Sequence, residues 1–466
     1  MLRGAGVLLH VASLPGGCYV GDFGPEAYRF IDQLGEAGQT YWQILPINHA
    51  NPDGENSPYS PLTSFGGDPI FISLEKMARD GLLNSAPQCP STDYIDYAKA
   101  RFIKKTALEK AYKRGRSDKN FKFFKESTPW LEDYAYYMAM REKYGPWPQW
   151  PSDKKPDEGA VDFYKFVQYV FWSQWRELKQ YANDNGVFII GDLPIYLNID
   201  SVDVWRHRKY FKVAQDGAPL YFGGVPPDYF SPTGQLWKMP VYNWEELERD
   251  GFRWWLERLR HSLAAFDYVR LDHFRGYVAY WEVPAHEETA AGGRWAPGPG
   301  KKLFQHVDPS RLIAEDLGYI TPDVEELRDW LGVPGMRVLQ FAWDGNPANP
   351  HKPHNYVKNL VVYTGTHDNN TAVGWFYTEA TPRARREFLE YAMCREEVNW
   401  CFVRLLYMSV ADVAIVPAQD ILGLGPEARM NKPGSTGGNW KWRLAKPIPQ
   451  PHWKKLKKFA KLYGRL

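Results

Sequence analysis

The chain has 466 residues, 44% hydrophobic and 24% charged, a balance that excludes disordered and membrane-embedded classes and suits one large globular core. A formal charge of +2 supplies no field for recruiting nucleic acid or an anionic lipid surface, so a neutral substrate is expected. Aromatic residues reach 16%, including 20 Trp, and flat rings with polar edges suit sugar faces as well as cores.

From the N-terminus, VLLH (Val7 to His10) is a short apolar run interrupted by His10. It makes a poor signal-peptide core, and no run approaches the ~20 residues of a membrane span, so a cytoplasmic location is expected. Seven further runs follow: WQILP (Trp42 to Pro46), VFIIGD (Val187 to Asp192), YVRLD (Tyr268 to Asp272), LIAED (Leu312 to Asp316), VLQFAW (Val338 to Trp343), VVYTGTHD (Val361 to Asp368) and VAIVPAQD (Val413 to Asp420). Each is bounded by turn residues and most end on a polar group, as strands buried on both faces of a parallel sheet do.

Helical periodicity fills the intervals at Pro25 to Ala37, Phe163 to Asp184, Trp244 to Ala264, Pro322 to Leu331 and Arg383 to Ser409. Alternating strands and helices with carboxylates at strand exits predict an α/β fold, a (β/α)8 TIM barrel with its site at the C-terminal strand ends. A doubly wound sheet would gather its polar groups at one crevice instead. Two intervals exceed a simple crossover. Residues 51–160 predict a largely helical insertion, and 193–244, rich in Pro, Gly and aromatics, a lid or loop over the active site. From Trp453 to Tyr463 one apolar face predicts a final helix packed on the barrel. The expectation is thus one catalytic unit over 1–466, with inserted subdomains and no separate C-terminal β domain. Cys18, Cys89, Cys394 and Cys401 show neither CxxC spacing nor the density of a disulfide scaffold, so reduced thiols are expected.

The strands deliver Asp192, Asp272, Glu315, Asp316, Asp368 and Asp420. One buried carboxylate is commonly an ion pair or cap, but a set converging on one mouth points to function. Within YVRLDHFRG, Arg270 and Asp272 share strand parity, so the guanidinium can keep Asp272 ionised as a nucleophile. A proton donor needs the opposite tuning, by desolvation and nearby negative charge. Glu315 or Asp316 can supply it; parity does not choose between them because both strand faces are buried, and the longer reach of Glu favours Glu315. His367 and Asp368 are placed to grip sugar hydroxyls, whereas His10 reads as structural and His273 as a weaker candidate. GGRWAPGPGKK (Gly292 to Lys302) lacks the spacing and hydroxyl of a phosphate loop and reads as a flexible active-site loop. No GxSxG, HExxH or first-strand HxH is present, so serine-hydrolase and zinc chemistry recede and neither metal nor cofactor is expected.

These residues resemble those of the 4-α-glucanotransferases called amylomaltases or disproportionating enzymes, glycoside hydrolase family 77. The likeness runs through LLHVASLPGG, LGEAGQTYWQILP, NSPYSPLTSFGGDP, GDLPIY, DSVDVW, GGVPPDYFSPTGQLW, VRLDHFRG, IAEDLG, GMRVLQFAW, GTHDNNT, QDILGLGPEARMNKPG and GNWKWR, nearly the whole chain. The resemblance implies a barrel with inserted subdomains. It also implies Asp272 as nucleophile, Glu315 as general acid/base, Asp368 as transition-state stabiliser, and glucan contacts from Arg270, His367, Tyr59, Gln235, Trp237, Asp344 and Asn431. GGVPPDYFSPTGQLW looks like the family's lid. Lys238 stands where the family usually has Gly, Asp68 where Asn is common, and Asn370 where Asp is usual.

The expected reaction is transfer of an α-1,4-glucan segment from a donor to the 4-hydroxyl of an acceptor by a retaining double displacement. That geometry places the Asp272 and Glu315 carboxyls about 5–5.5 Å apart. The competing readings are a glucan hydrolase using the same carboxylates and a non-catalytic glucan-binding barrel. No nucleic acid, membrane or obligate protein partner is expected.

Overall fold

A computed structural model describes residues 1–147, 149–151, 153–227 and 231–466. Residues 148 and 152 of the first expected insertion, and Asp228 to Phe230 of the expected lid, lie outside the described residues.

In chain order the strands are β1 (Gly4–Leu8), β2 (Tyr41–Gln43), β3 (Phe188–Leu193), β4 (Tyr221–Val225), β5 (Gln235–Pro240), β6 (Tyr268–Leu271), β7 (Ala279–Pro284), β8 (Arg294–Pro297), β9 (Leu312–Ala314), β10 (Gly335–Val338), β11 (Leu360–Tyr363) and β12 (Val413–Pro417). Eight of them form one parallel sheet in the order β10-β11-β12-β1-β2-β3-β6-β9. Ala314 N–H donates to Pro334 O at 2.9 Å, joining the two ends of that order and closing the ring. This is the expected TIM barrel, and helices such as Pro25–Glu36, Glu158–Asp184 and Pro322–Leu331 lie between its strands in sequence.

Every residue of β1, β11 and β12 is buried, as a strand between a packed interior and an outer helical layer must be. Parity divides the side chains. Leu8, Ile190, Ile313, Met336, Val338, Val361, Tyr363, Val413 and Ile415 pack in one cluster inside the barrel, while Val7, Ile189, Val269, Ala314, Val362 and Ala414 join the larger core outside. Gly6 permits the close approach of β1 to β2, because a Cβ there would meet Tyr41 O at 2.3 Å.

Boundaries differ from the sequence expectation in three places. The VLQFAW run leaves the sheet at Val338, and Leu339–Ala342 turns into a 3-10 helix. The expected helix at Trp244 to Ala264 is two helices, Trp244–Arg249 and Arg253–Ala265, broken where Gly251 and Phe252 take positive φ. The stretch from Arg383 to Ser409 also splits, at the left-handed Met393, into Pro382–Ala392 and Val398–Met408. Short-range periodicity carries straight through such breaks because the two halves present apolar residues to the same core.

Between β2 and β3 the chain forms helices including Tyr97–Gly115, Lys119–Ser127 and Leu131–Tyr144. After β3, the hairpin β4–β5 pairs with β7 and β8 in an antiparallel sheet of order β5-β4-β7-β8. The segment Gly292 to Lys302, expected as a flexible loop, therefore contains an ordered strand: β8 pairs with β7, with Trp295 opposite Trp281. A cross-strand aromatic pair of this kind holds a strand that Gly and Pro alone do not suggest.

The cysteines correct the sequence reading. Cys18–Cys89 and Cys394–Cys401 are disulfide-bonded rather than free, and the second closes the corner between the two split helices. The spacing heuristics describe zinc and redox motifs, and they do not see pairs brought together only by tertiary packing. Among the described residues no helix is long and apolar enough to cross a membrane.

Candidate active site

The site is assembled by residues at or just past the C-terminal ends of β3, β6, β9 and β11. Asp272 follows β6 directly, and its N–H donates to Leu193 O at 3.2 Å. Glu315 follows β9, and its N–H donates to Leu271 O at 3.1 Å, which sets the two carboxylate-bearing residues on adjacent strands at one level. The chain then turns back: His273, in a left-handed conformation at φ 47°, aims its N–H at Glu315 Oε2 (2.8 Å). Leu317 N–H donates to Oε1 at 3.1 Å.

Burial dominates the electrostatics of Glu315. Desolvation, reinforced by the charges of Asp272 and Asp316 and opposed by Arg270 and the His273 N–H, pushes its carboxyl from an ordinary 4.5 up to about 8. It is therefore protonated at neutral pH, as a proton donor must be.

Arg270 is buried inside the barrel. Its Nη1 donates to Asp192 at 2.7 and 2.9 Å and to Asp272 Oδ1 at 3.1 Å, which confirms the shared parity of Arg270 and Asp272. Burial works against its charge, but Asp192, Tyr59 and Asp272 outweigh that and raise the guanidinium well above its ordinary value. Tyr59 donates its hydroxyl to Asp192 Oδ2 at 2.8 Å, and its ring stacks on His367 at 4.9 Å and 14°. Burial first, and the Asp192 charge second, raise the Tyr59 hydroxyl far above its ordinary value, so it stays a donor.

Asp368, in the loop after β11, accepts from Asn431 Nδ2 at 2.6 Å, and His367 Nε2 lies 3.4 Å from the same oxygen. Asn431 N–H donates to His367 O at 3.0 Å and Arg429 Nη2 to Asp368 O at 2.7 Å, so the segment around Met430 fixes this loop. On the β4–β5 hairpin, Trp237 stands edge-on to His273 at 4.9 Å and donates its Nε1–H to Gln235 Oε1 at 3.2 Å.

Asp344 is the exception among the expected residues. It is exposed, accepts from Asn346 N–H within its own loop, and no hydrogen bond among the described residues joins it to the carboxylates. Two carboxylates from the initial set are structural. Asp316 bonds Arg328, Arg337 and Met336 N–H at 2.7, 3.1 and 2.6 Å. Asp420, raised by burial to about 6, accepts from Thr364 Oγ1 and Ala372 N–H. His10 packs edge-on against Phe71, and burial lowers it to about 3. Beyond the expected residues the structure brings in Asp192, Arg429 and Trp440, whose ring lies 5.8 Å from that of Tyr59 and 6.0 Å from that of His367. Asp192 was visible as a strand-exit carboxylate, and Arg429 lies in the same run as Asn431.

The departures have physical partners or consequences. Asp68 pairs with Arg101 at 2.9 and 3.0 Å, which an Asn would not neutralise. Asn370 donates to Glu379 at 2.8 Å, where an Asp would repel. Lys238 sits at φ 57°, the left-handed region that favours Gly. Among the described residues no group of three or more His, Cys, Asp or Glu is placed to hold a metal.

Comparison with known proteins identifies the family. Residues 9–448 match the family model described as 4-alpha-glucanotransferase, glycoside hydrolase 77. A 4-alpha-glucanotransferase from Aquifex aeolicus is 44% identical with both chains covered in full, and one from Thermus thermophilus is 44% identical over 100% of this chain and 99% of its own. The chloroplastic/amyloplastic enzyme of Solanum tuberosum is 41% identical, covering 100% of this chain and 87% of its own. The amylomaltase from Streptococcus agalactiae in complex with acarbose superposes with a TM-score of 0.95 at 34% identity, 99% of each chain being covered. With identity of this order over the full length, the chain belongs to glycoside hydrolase family 77, the 4-α-glucanotransferases.

Proposed function

We propose that this 4-α-glucanotransferase transfers α-1,4-glucan segments by a retaining double displacement with Asp272 as nucleophile, Glu315 as general acid/base and Asp368 as transition-state stabiliser. The observation that carries the reading is a part-buried carboxyl, Glu315, level with a carboxylate that Arg270 holds on the adjacent strand, and desolvation raises Glu315 to about 8. One group is thereby poised to donate a proton while the other is poised to attack.

Asp272 Oδ attacks C1 of the glucosyl unit as Glu315 gives its proton to the departing glycosidic oxygen, so the leaving glucan acquires a 4-hydroxyl and the sugar a covalent bond to Asp272. Glu315, now ionised, removes the proton from the 4-hydroxyl of an incoming glucan, whose oxygen displaces Asp272 and restores the α-1,4 bond. Arg270 orients the nucleophile. Asp368 and His367, fixed by Asn431, grip sugar hydroxyls, with Tyr59 against His367. Trp237 and Gln235 on the lid hairpin cover the acceptor and keep out water, which favours transfer over hydrolysis. Asp344, exposed beyond β10, contacts glucan outside the carboxylate cluster.

Incubation with maltotriose tests the reading. Transfer gives glucose and a ladder of longer maltooligosaccharides at constant reducing ends; rising reducing ends would make the enzyme a hydrolase. An Asp272→Asn variant that binds glucan without turnover separates catalysis from a mere binding role. A cytoplasmic site of action is proposed as well. Cell fractionation tests that, and recovery from an oxidising compartment, where disulfides persist, would overturn it.

A further inference from the structure

We propose that Trp295, Tyr319 and Arg275 form a platform for the glucan rings lying beyond Glu315, on the leaving-group and acceptor side of the cleaved bond. Trp295 and Tyr319 are large aromatic side chains left 37% and 63% exposed. Their rings lie 6.3 Å apart and 24° from parallel.

They are held in place from several directions. The Arg275 guanidinium lies 4.0 Å from the Trp295 ring centre and 5.2 Å from that of Tyr319. Its Nη1 donates to Tyr319 O at 3.1 Å and to Thr321 Oγ1 at 2.9 Å. Trp281 meets Trp295 edge-on at 5.2 Å and is itself fixed by an Nε1–H bond to Ala290 O at 2.9 Å. Two exposed rings held this firmly surrender little freedom when a ligand settles on them.

Position in the chain decides the ligand. Arg275 lies three residues after Asp272 and Tyr319 four after Glu315, so the platform grows from the loops that leave the two catalytic carboxylates. Four residues span at most about 14 Å, which keeps Tyr319 within a few sugar units of Glu315. The general acid protonates the oxygen of the departing chain, so sugar beyond Glu315 belongs to the leaving group in the first step and to the acceptor in the second. Sugar C–H faces stack on exposed rings while hydroxyls stay in water, and the neutral polymer needs no charge complement. The occupant is a linear α-1,4-glucan longer than the catalytic centre alone accommodates. The platform rests on the glucan-transfer reading above.

The test compares Trp295→Ala, Tyr319→Ala and the double variant with wild type on maltotriose and maltoheptaose. Each loss of a ring lowers kcat/KM for maltoheptaose roughly three- to tenfold through KM. Maltotriose turnover stays within about twofold, and Tyr319→Phe behaves as wild type. Equal losses on both substrates would mean that the rings only brace the catalytic loops, and unchanged kinetics on both would mean that no glucan rests there; either overturns the proposal. Thermal melting of each variant confirms folding. If the wild type hydrolysed rather than transferred, the transfer reading would fall, yet the chain-length comparison would still judge the platform.

Discussion

Glu315→Gln should stabilise the protein while abolishing its activity, and the gain should grow with pH. The carboxyl sits at about 8 in the folded chain against an ordinary 4.5. Below pH 4.5 it is protonated in both states and exerts no differential effect. Between 4.5 and about 8 the folded chain retains a proton that the unfolded chain has released, so stability falls as pH rises, and above 8 the full penalty applies. At 1.36 kcal/mol per pH unit the penalty is about 3 kcal/mol at pH 7 and about 5 kcal/mol above pH 8. Gln removes it but keeps only one acceptor for the two backbone donors, His273 N–H and Leu317 N–H. That loss returns about 1 kcal/mol. The net expectation is a variant slightly less stable than wild type at pH 4.5, about 2 kcal/mol more stable at pH 7 and about 4 kcal/mol more stable above pH 8. Urea unfolding of both proteins at pH 4.5, 7 and 8.5 measures it. A stability difference that does not change with pH would refute the assignment of Glu315 as the desolvated acid, whatever the variant's activity.

Asp316→Ala should behave in the opposite way, because it removes the buried carboxylate shared by Arg328 and Arg337, leaving them Asp329 and Met336 O, and takes away the acceptor for Met336 N–H. Breaking a buried pair of this kind costs about 3–5 kcal/mol, so the melting temperature falls while kcat on maltotriose at 25 °C stays within a few-fold of wild type. The disulfides should differ with the loops they close, 71 residues for Cys18–Cys89 and 7 for Cys394–Cys401. Replacement by Ser is expected to cost about 4 kcal/mol at the first and about 2 kcal/mol at the second, read from urea unfolding under oxidising conditions.

The sequence by itself determined the barrel, because eight apolar runs that end near carboxylates admit few other folds. It also singled out Asp272, Glu315 and Asp368 as candidates, because unpaired charge at strand exits is costly unless it is used. Strand parity could not choose between Glu315 and Asp316, and only the longer reach of Glu favoured Glu315. Both faces of a barrel strand are buried, and hydrophobicity is blind to which face looks inward. Only closure of the ring decided: Ile313 packs inside the barrel and Ala314 outside, so Glu315 inherits the inward parity and Asp316 the outward one, where Arg328 and Arg337 await it. The same limit explains the cysteines, the helix breaks at Phe252 and Met393, and the strand at Trp295. Each depends on a partner distant in sequence or on one residue's backbone angle, and neither leaves a trace in local periodicity.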